Sequence, residues 1–576
     1  MKRTWRRVSS NRPRLVSGLA CAAFLGFAAP GWAAVNLDGS LGPSGPVGSG
    51  TVDGVGTTYL ISHDLGQLRG ANLFHSFSSF DIAAGESATF TGPTDVADII
   101  GRVTGGSPSS IDGLVRSAID GANLYLVNPA GVMFGPNASL DVSGSFHVST
   151  ADYVRLADGN VFYADLGSSS VLSVAAPESF GFLNAQPAGI SGDAAYLQVA
   201  AGGTLSLVAG EITYTGVPVS PDDIFYMPGV LTAPGGTINL ISVASPGEVN
   251  LTAADLGIGS FSQLGNISFT QGAKLDVLSE YGALPAGSIV IRGGAILFQD
   301  GGMDVYGDPG GTVDIKGDSL QLDNAYVFPA SFGEADHPGT GCEIDVSGAF
   351  LMTHAALIDT QNAWSGRGGD IRITAGSVQF GDGVIDEFSY SNIGFYGYVA
   401  TATAGLGKGG DIAITAADVT LQNGFFVNTQ TYAEGDAGHI SLHADTIEIR
   451  SRGNIGAYAS GYGRGGDVNI FADEVSISGA NATEVVNLPG QVTGIIGLTE
   501  YFSDGGTISL TTNGLAVADG GQINTILFGE GRGANLAIDA KNISVSGFLV
   551  DQGDYFLSAI DGRVYGPDAI GVGGDI

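Results

Sequence analysis

Histidine and cysteine, the residue types that most often carry out catalysis or bind metals, are scarce in this sequence. The chain has 576 residues, of which 7 are His and 2 are Cys. His439 and His443 are close in sequence, but an i, i+4 pair on a β-strand lies about 13 Å apart, too far to share one metal ion. The sequence contains no zinc-protease, nucleophile-elbow or phosphate-loop motif. We therefore predict no catalytic residue, no metal site and no cofactor.

Carboxylates are the one abundant chemical group. The chain has 57 Asp and Glu against 22 Lys and Arg, with a net charge of −35. This charge argues against nucleic-acid binding, which needs a basic surface. Glycosidases use two carboxylates that face one sugar, whereas adjacent residues on a strand point to opposite faces. The adjacent pairs are Asp222-Asp223, Asp386-Glu387 and Asp473-Glu474. Stacked strands could still bring distant carboxylates together, so a polysaccharide-active enzyme stays as an alternative.

A glycine-rich phrase recurs from about residue 230 onwards. It reads Gly-Gly-Asp or Gly-Gly-Thr, followed by alternating apolar and polar residues. The second residue of each pair stands at 369, 410, 438, 466, 506, 534 and 574. The two repeating spacings, 28 and 40–41 residues, predict a fixed structural unit with an optional insert. The predicted turn residues are Gly369, Asp370, Gly410, Asp411, Gly466, Asp467 and Gly506.

Each turn residue type has a predicted role. We expect the paired glycines at corners where the backbone takes a positive φ and a side chain would clash. We expect aspartate to cap the turns, because the nine-residue spacing of calcium-binding repeats is absent. Gly341-Cys342-Glu343-Ile344 aligns with Gly-Gly-Asp-Ile, so Cys342 is predicted to be a turn residue rather than a nucleophile.

The residues after each glycine pair alternate with the period of a β-strand. Ile412 and Ile414, then Ile440 and Leu442, are examples of this pattern. Helical periodicity long enough for α/β crossovers is missing. Short strands at this spacing predict a parallel β-helix, with about 20 coils of about 27 residues in a rod of roughly 100 Å.

Residues 1–34 are predicted to be a secretory signal peptide. Residues 2–14 carry six basic residues and no acid, residues 15–29 form an apolar stretch, and Ala-Pro-Gly-Trp-Ala-Ala at 29–34 ends in a cleavage site after Ala33 or Ala34. The apolar run is too short to span a membrane. Arg6-Arg7 and Cys21 leave twin-arginine export and lipidation as alternatives to the general secretory pathway.

Residues 35–155 contain the most distinctive motifs of the chain. They include Asn72-Leu73-Phe74-His75-Ser76-Phe77 and the dense run 122–138. This stretch resembles the filamentous haemagglutinin N-terminal domain, the secretion domain of two-partner exoproteins. The family motif Asn-Pro-Asn-Gly-Ile corresponds to Asn128-Pro129-Ala130-Gly131-Val132, which departs at its third and fifth positions. The family's Asn-Pro-Asn-Leu is absent, which leaves the transporter subtype open.

The resemblance implies a fold and a route of export. The fold is all-β: a right-handed parallel β-helix, or solenoid, with an N-terminal capping secretion module. The implied partner is an outer-membrane β-barrel transporter with periplasmic recognition domains, in a Gram-negative bacterium. The predicted secretion-motif residues are Asn72, Phe74, Phe77, Asn123, Leu124, Asn128, Pro129, Gly131, Phe134 and Gly135. From the residues alone, Asn128 and Gly131 could either shape a corner or contact the transporter.

The predicted domains are the signal peptide at 1–34, the secretion domain at 35–155 and β-helix repeats at 156–576. We expect the repeats to continue beyond Ile576, or to be truncated there, because the chain stops at the first residue of a strand. The predicted function is a non-enzymatic adhesin, secreted or at the cell surface, with host or matrix glycans as candidate ligands. The alternatives are an extracellular polysaccharide-active enzyme and a structural spacer for a C-terminal effector. Aromatic inserts at 387–398 and 485–502 are interpreted as flanking loops or as a binding surface.

Overall fold

The computed structural model describes most of the chain after the predicted signal peptide. The described residues are 34–51, 56–217, 229–253, 255–279, 285–334, 336–337, 339–381, 397–479, 492–551, 554–564 and 571–576. Residues 1–33 lie outside this set, and with them nearly all of the predicted signal peptide. Among the described residues, no helix has the length and apolar character needed to cross a membrane.

Two sheets form the body of the described protein, and a large hydrophobic core lies between them. A second, smaller core, which includes Phe74, Phe162 and Phe180, joins the first coils to a side sheet. The first, which we call the long sheet, has 24 strands. Its strands are Val35–Asp38, Ser44–Pro46, Gln67–Arg69, Asn72–Phe80, Asp98–Val103, Ser109–Ile111, Asn123–Val127, Val132–Phe134, Phe146–Ser149, Ile190–Asp193, Thr204–Ala209, Ile212–Thr215, Thr237–Ser242, Ile267–Thr270, Ser288–Gln299, Thr312–Asp323, Thr340–Thr353, Asp370–Phe380, Ile412–Thr415, Asp418–Leu421, Ile440–Arg450, Val468–Ser478, Thr507–Ala518 and Asn535–Ser546. From Asn72 onwards, successive coils pair in parallel, so the described chain is a parallel β-helix, as predicted.

The second sheet, which we call the short sheet, has 12 strands. They are Tyr196–Gln198, Val230–Thr232, Lys274–Asp276, Gly302–Asp304, Tyr326–Phe328, Leu357–Asp359, Tyr398–Thr403, Phe426–Thr431, Asn454–Ala459, Gly494–Thr499, Gln522–Leu527 and Ala559–Val564. A five-stranded sheet adjoins it at the N-terminal end: Ser49–Gly50, Thr57–Ser62, Glu86–Thr91, Leu114–Ser117 and Ser139–Asp141.

Antiparallel strands are added at several places in the described chain, and Ser49–Gly50 pairs in this way with Thr57–Ser62. Val35–Asp38 pairs antiparallel with Asn72–Phe80 and covers the first coil. A four-stranded antiparallel sheet stands beside the coils: Tyr153–Leu156, Val161–Tyr163, Pro177–Phe182 and Gly247–Asn250. Phe548–Asp551 and Asp554–Leu557 form a hairpin. Two short 3-10 turns, His63–Leu65 and Ile258–Ser260, complete the described elements.

The long strands bend because their alternation is interrupted once in each coil. In Val468–Ser478, the residues Val468, Ile470, Val475 and Ile477 are buried. Ile470 and Val475 are five residues apart, and an odd separation puts both on one face only if the pleat is broken between them. The same spacing recurs in the neighbouring coils, at Leu442/Ile447 and Leu510/Leu515. Each long strand therefore has two straight arms with a bend between them.

The rod is shorter than the sequence predicts. Fifteen long-sheet strands follow one another in a parallel ladder through the described residues, from Asn72–Phe80 to Asn535–Ser546. At about 4.8 Å per step they span about 67 Å rather than 100 Å. The estimate of 20 coils was wrong because the antiparallel strands between 153 and 250 add residues without adding coils.

The paired glycines are needed for close approach and not for a positive φ. Gly410, Gly438, Gly466 and Gly506 are absent from the described residues with positive φ, so that part of the prediction was wrong. A Cβ at each would lie 1.7–2.0 Å from the carbonyl oxygen of the glycine one coil earlier. No side chain fits at that distance, so the coils stack at this corner only with glycine.

Positive φ values occur instead at the corner that follows the long strand. There Asp300, Asn324 and Asn423 have φ of 58°, 49° and 56°. Asn and Asp tolerate this left-handed region better than other non-glycine residues do.

The turn aspartates join one coil to the next. The Asp370 carboxylate accepts a hydrogen bond from the backbone N–H of Asp411 at 2.9 Å, and Asp411 accepts one from His439 N–H at 2.8 Å. Asp467 does the same for Thr507 N–H at 2.8 Å. These carboxylates satisfy backbone donors at a corner where regular strand pairing stops.

Cys342 is a buried strand residue, which corrects its prediction as a turn residue. It pairs with Val313 in the coil before and with Ile371 in the coil after. The pairing shifts between Thr340 and Cys342, so the sequence alignment with Gly-Gly-Asp-Ile is out of register. Burial raises the pKa of its thiol to about 12, and Cys342 behaves as a small apolar core residue.

The close approach of the glycine corners predicts a specific loss of stability. We expect Gly466→Ala to lower the free energy of unfolding by about 1–3 kcal/mol, because its Cβ would lie 1.7 Å from the Gly438 carbonyl oxygen. Gly259→Ala is the matched control, since no atom lies within 4 Å of its Cβ position. Urea unfolding of both variants measures the difference, and equal midpoints would contradict this account of the corner.

Candidate functional site

The predicted secretion-motif residues lie in the first coils, and most of them point inward. Asn72, Phe74, Phe77, Leu124, Asn128, Gly131 and Phe134 are buried, whereas Asn123, Pro129 and Gly135 are half-buried. The aromatic members pack in the interior: Phe74 lies against Phe162, with ring centroids 5.1 Å apart, and Phe77 against Phe80, also at 5.1 Å. Most of the motif therefore builds the interior of the module and leaves other residues to form its outer surface.

Asn128 holds a corner together from the inside. Its side-chain amide donates to the Ser107 carbonyl and to Ser109 Oγ, both at 3.0 Å. Its Oδ1 accepts from the Ala130 N–H at 3.0 Å, which closes the turn. Gly131 follows with φ 118°, a conformation that favours glycine. Because the Asn128 side chain is fully buried, this geometry favours its interpretation as a corner-shaping residue.

Asn123 connects neighbouring coils near the rim of the module. Its side-chain amide donates to Asp98 Oδ1 at 3.0 Å, and its own Oδ1 accepts from the Ser145 N–H at 2.9 Å. Gly135 leaves room for Asp112, because a Cβ at Gly135 would lie 2.3 Å from Asp112 Oδ1. That carboxylate oxygen accepts from the Asn137 N–H at 2.8 Å.

Asn72 ties the first strand to a distant segment of the chain. Its side-chain amide donates to the Ser173 carbonyl at 3.1 Å and to the Ala175 carbonyl at 2.6 Å. These residues are about a hundred positions later in sequence, in the stretch before the strand Pro177–Phe182. Asn72 therefore fixes the position of that segment on the first coil.

Arg102 anchors the same segment from a second side. Its guanidinium is buried over the Phe162 ring, 4.4 Å from the centroid, and donates to Ser170 Oγ at 3.0 Å and to the Tyr163 carbonyl. Nε donates to Ser76 Oγ at 2.7 Å. Arg102 is not among the predicted site residues, although a single basic residue in the run Ile100-Gly101-Arg102-Val103 is a signal in the sequence.

A carboxylate lies near this guanidinium and shares its hydrogen-bond network. Asp38 accepts from Ser76 Oγ at 2.5 Å and from Thr104 Oγ1 at 2.9 Å. Burial raises the pKa of Asp38, but these hydrogen bonds and those from Ser40 outweigh burial, so the pKa is lowered overall. Asp38 thus stays ionised and supports the positive charge of Arg102.

The anchored segment, residues 163–175, presents aliphatic side chains to solvent. Leu166, Val171 and Val174 are 52%, 50% and 70% exposed. Leu166 and Val171 line a cleft of about 500 Å³ together with Gln67 and Arg69, and Leu68 between these two is also exposed. We call Leu68, Leu166, Val171 and Val174 the apolar patch.

Two buried histidines occupy the same coils. His75 lies between Phe77 and Phe90, with ring centroids 6.0 and 5.6 Å away. His147 stacks on Tyr125 at 4.5 Å, and its Nδ1 is 2.9 Å from Ser206 Oγ. Burial lowers the pKa of each imidazole to about 4, so both are neutral near pH 7.

Carboxylates come closest to a catalytic arrangement on the short sheet. Asp276 and Asp304 are Cα partners on adjacent coils, and burial raises the pKa of both. Tyr326 donates its hydroxyl to Asp304 Oδ2 at 2.9 Å, and the Lys274 ammonium lies 5.3 Å from the Tyr326 ring centroid. The Asp304 carboxylate is therefore hydrogen-bonded to Tyr326, and Lys274 packs on the Tyr326 ring beside it.

The adjacent pairs and aromatic inserts singled out in the sequence are only partly described. Asp222-Asp223, Asp386-Glu387 and most of both aromatic inserts lie outside the described residues. Asp473 and Glu474 are both exposed, contrary to the expected opposite faces, because the long strand bends there. Of the inserts' ends, Tyr398 stacks on Phe426 at 5.1 Å, and Phe502 is exposed.

The buried histidines predict a loss of stability in mild acid. Between the ordinary pKa of 6.5 and about 4, the unfolded chain binds protons that the folded chain excludes. The free energy of unfolding should therefore decrease as pH falls through this window, by up to about 3 kcal/mol per histidine.

Urea unfolding from pH 7.5 to 4.5 checks this prediction. His147→Phe and His75→Phe should each flatten the pH dependence, whereas the exposed His63→Gln should leave it as in the parent protein. A parent-like pH profile in both phenylalanine variants would rule out the buried histidines as its source.

Comparison with known proteins places the N-terminal part of the chain. Among solved structures, the HMW1 secretion domain from Haemophilus influenzae matches with 17% identity and a TM-score of 0.41, over 75% of this chain and 92% of that one. No curated protein matches the chain. The family model of the TPS secretion domain matches residues 33–297, a range that includes every predicted secretion-motif residue and extends past the expected boundary at 155. Residues 33–297, a little under half of the chain, therefore match the TPS secretion domain, which supports the two-partner-secretion module expected at the N-terminal end.

Proposed function

We propose that an outer-membrane β-barrel transporter recognises the N-terminal module in the periplasm, and that the exported rod acts as an adhesin, secreted or at the cell surface. The match of residues 33–297 to the TPS secretion domain carries the proposal. The general secretory pathway and the signal peptide at 1–34 supply the first membrane crossing. The domain boundary at 155 and the transporter subtype are parts of the same proposal.

The apolar patch is the surface that we assign to transporter contact. Most of the secretion-motif side chains are buried and cannot reach a partner in the folded module. Asn72, a motif residue, and Arg102, which is outside the motif, are buried and hold the segment 163–175 in place. Contiguous exposed aliphatic side chains beside a cleft are typical of an interaction site.

Binding rather than catalysis is the role that we assign to the rod. The described part of the chain holds no group of three or more His, Cys, Asp or Glu side chains placed to bind a metal ion. Asp276 and Asp304, carboxylates at paired positions on adjacent coils, favour the alternative, a polysaccharide-active enzyme. Asp304→Asn separates the two roles: loss of polysaccharide cleavage by the secreted protein would support the enzyme, whereas unchanged adhesion without cleavage supports the adhesin.

The patch predicts a secretion defect that is separable from misfolding. Expressed with its cognate transporter, the triple variant Leu166→Ser/Val171→Ser/Val174→Ser should be secreted about tenfold less than the parent chain, because the apolar contact area is lost. Leu406→Ser is the matched control, since Leu406 is an exposed leucine in the repeats. Quantitative immunoblots of medium, surface and periplasm measure the distribution.

Two further measurements make the secretion result decisive. Urea unfolding of the purified triple variant must give a midpoint close to that of the parent, because its three side chains are exposed. Secretion of the triple variant at the parent level would show that the apolar patch is not the transporter contact surface. Secretion of the parent chain without any transporter would refute the proposed export route itself.

A further inference from the structure

A groove follows the bend of the long sheet through the last coils. Its volume is about 560 Å³, and it crosses five successive coils between Thr415 and Lys541. Its floor is made by Ala416, Ala444 and Ala472, small side chains packed on the core at the point where each strand bends. The interrupted alternation described above therefore creates a continuous furrow along the rod.

One wall of the groove is an aromatic pair with an open ring face. His443 and Phe471 are Cα partners on adjacent coils, and their rings stack at 4.7 Å with 16° between the planes. The next residues in this column are Thr415 on one side and Thr511 on the other, both short. Phe471 is 43% exposed, and the space over Thr511 leaves the outer face of its ring accessible.

The opposite wall carries hydrogen-bonding side chains. It contains Asp445, Asp473, Asn513 and Lys541, one from each of four successive coils. Asn513 Nδ2 donates to Asp473 Oδ1 at 2.8 Å, which orients both groups beside the floor. Asp539 closes the aromatic wall at its far end. Three carboxylates against one lysine make the groove acidic, as is the chain as a whole, with its net charge of −35.

We propose that this groove binds a glycan chain that is uncharged or bears amino groups, and this proposal rests on the adhesin function proposed above. The C–H face of a pyranose ring packs on an aromatic face, and its hydroxyls pair with carboxylates and amides. The Phe471 face and the Asp445–Asp473–Asn513 wall present these two kinds of contact on opposite sides of one furrow. Acidic glycans are disfavoured by the three carboxylates, and a second copy of this acidic rod is disfavoured for the same reason.

Isothermal titration calorimetry of the purified chain tests the site with defined hexasaccharides. The probes are cellohexaose, mannohexaose, a chitosan hexamer and a heparin hexamer. We expect binding of at least one of the first three, weakened about tenfold by Phe471→Ala. Thr511→Leu should weaken it similarly, because the branched aliphatic side chain covers the Phe471 ring and offers no flat face for a pyranose. Tyr196→Ala is the matched control, since Tyr196 is an aromatic strand residue of similar exposure, 46%, away from the groove.

The outcomes separate the groove from the function on which it rests. No binding of the three uncharged or amino-bearing probes, preferential binding of heparin, or binding unaffected by both groove variants would overturn the site. In each of these cases the parent chain and its variants would still be secreted by the transporter and would still mediate adhesion. Failure of the proposed function would instead appear as transporter-independent export, or as adhesion unchanged when the whole chain is deleted.

Discussion

The parallel pairing of each coil with the next is the constraint on which the rest of the structure depends. Main-chain hydrogen bonds at about 4.8 Å per coil force equivalent residues into columns that run along the rod. Each side chain must therefore fit the residues at the equivalent positions in the coils before and after it. At the glycine corner the main chains come so close that Gly438 and Gly466 admit no Cβ. At the bend, the same constraint aligns alanines into the floor of a groove.

The N-terminal module meets this constraint in a different way. Its corners are shaped by buried polar side chains that bond to the backbone of neighbouring coils, as Asn128 does to the Ser107 carbonyl. Such groups are stable in the interior only when their partners are in place, because an unpaired buried amide costs about 1–3 kcal/mol. Asn72 and Arg102 extend the same principle outward, since the Asn72 amide and one guanidinium nitrogen of Arg102 donate to the segment 163–175 where it lies on the first coils. The conformation of the apolar patch is thereby coupled to correct stacking of the module.

The sequence predicts the repeat, the strand periodicity and the inward residues well, because each depends on local spacing. Val468, Ile470, Val475 and Ile477 are buried as the alternation indicates. Features that depend on contacts between coils were not predictable in the same way. The alignment of Cys342 was wrong because a shift in pairing is invisible in a single coil. The rod length was wrong because residues in the side sheet resemble strands of the helix.

The candidate site shows the same division. The motif residues remain a prediction, whereas the corner formed by Asn128 and Gly131 has the turn that the sequence indicates. The surface beside them was missed, because Leu166 and Val171 stand in a stretch without a motif and become neighbours of Gln67 only through the fold. The family model's extent to residue 297 agrees with this, since the anchored segment lies beyond the predicted boundary at 155.

Stacking also decides which partners an acidic rod can accept. A carboxylate at a repeated position lies about 4.8 Å from the equivalent positions in the adjacent coils, where like charges repel. The turn column relieves this repulsion locally: Asp411 pairs with Lys408 at 3.0 Å and accepts the His439 N–H. Burial raises the pKa of Asp411, but these contacts outweigh it and the pKa is lowered overall. Because basic side chains such as Lys408 are paired with turn aspartates, the other carboxylates of the rod keep a net negative charge. Neutral or cationic surfaces can therefore approach the rod more closely than anionic ones.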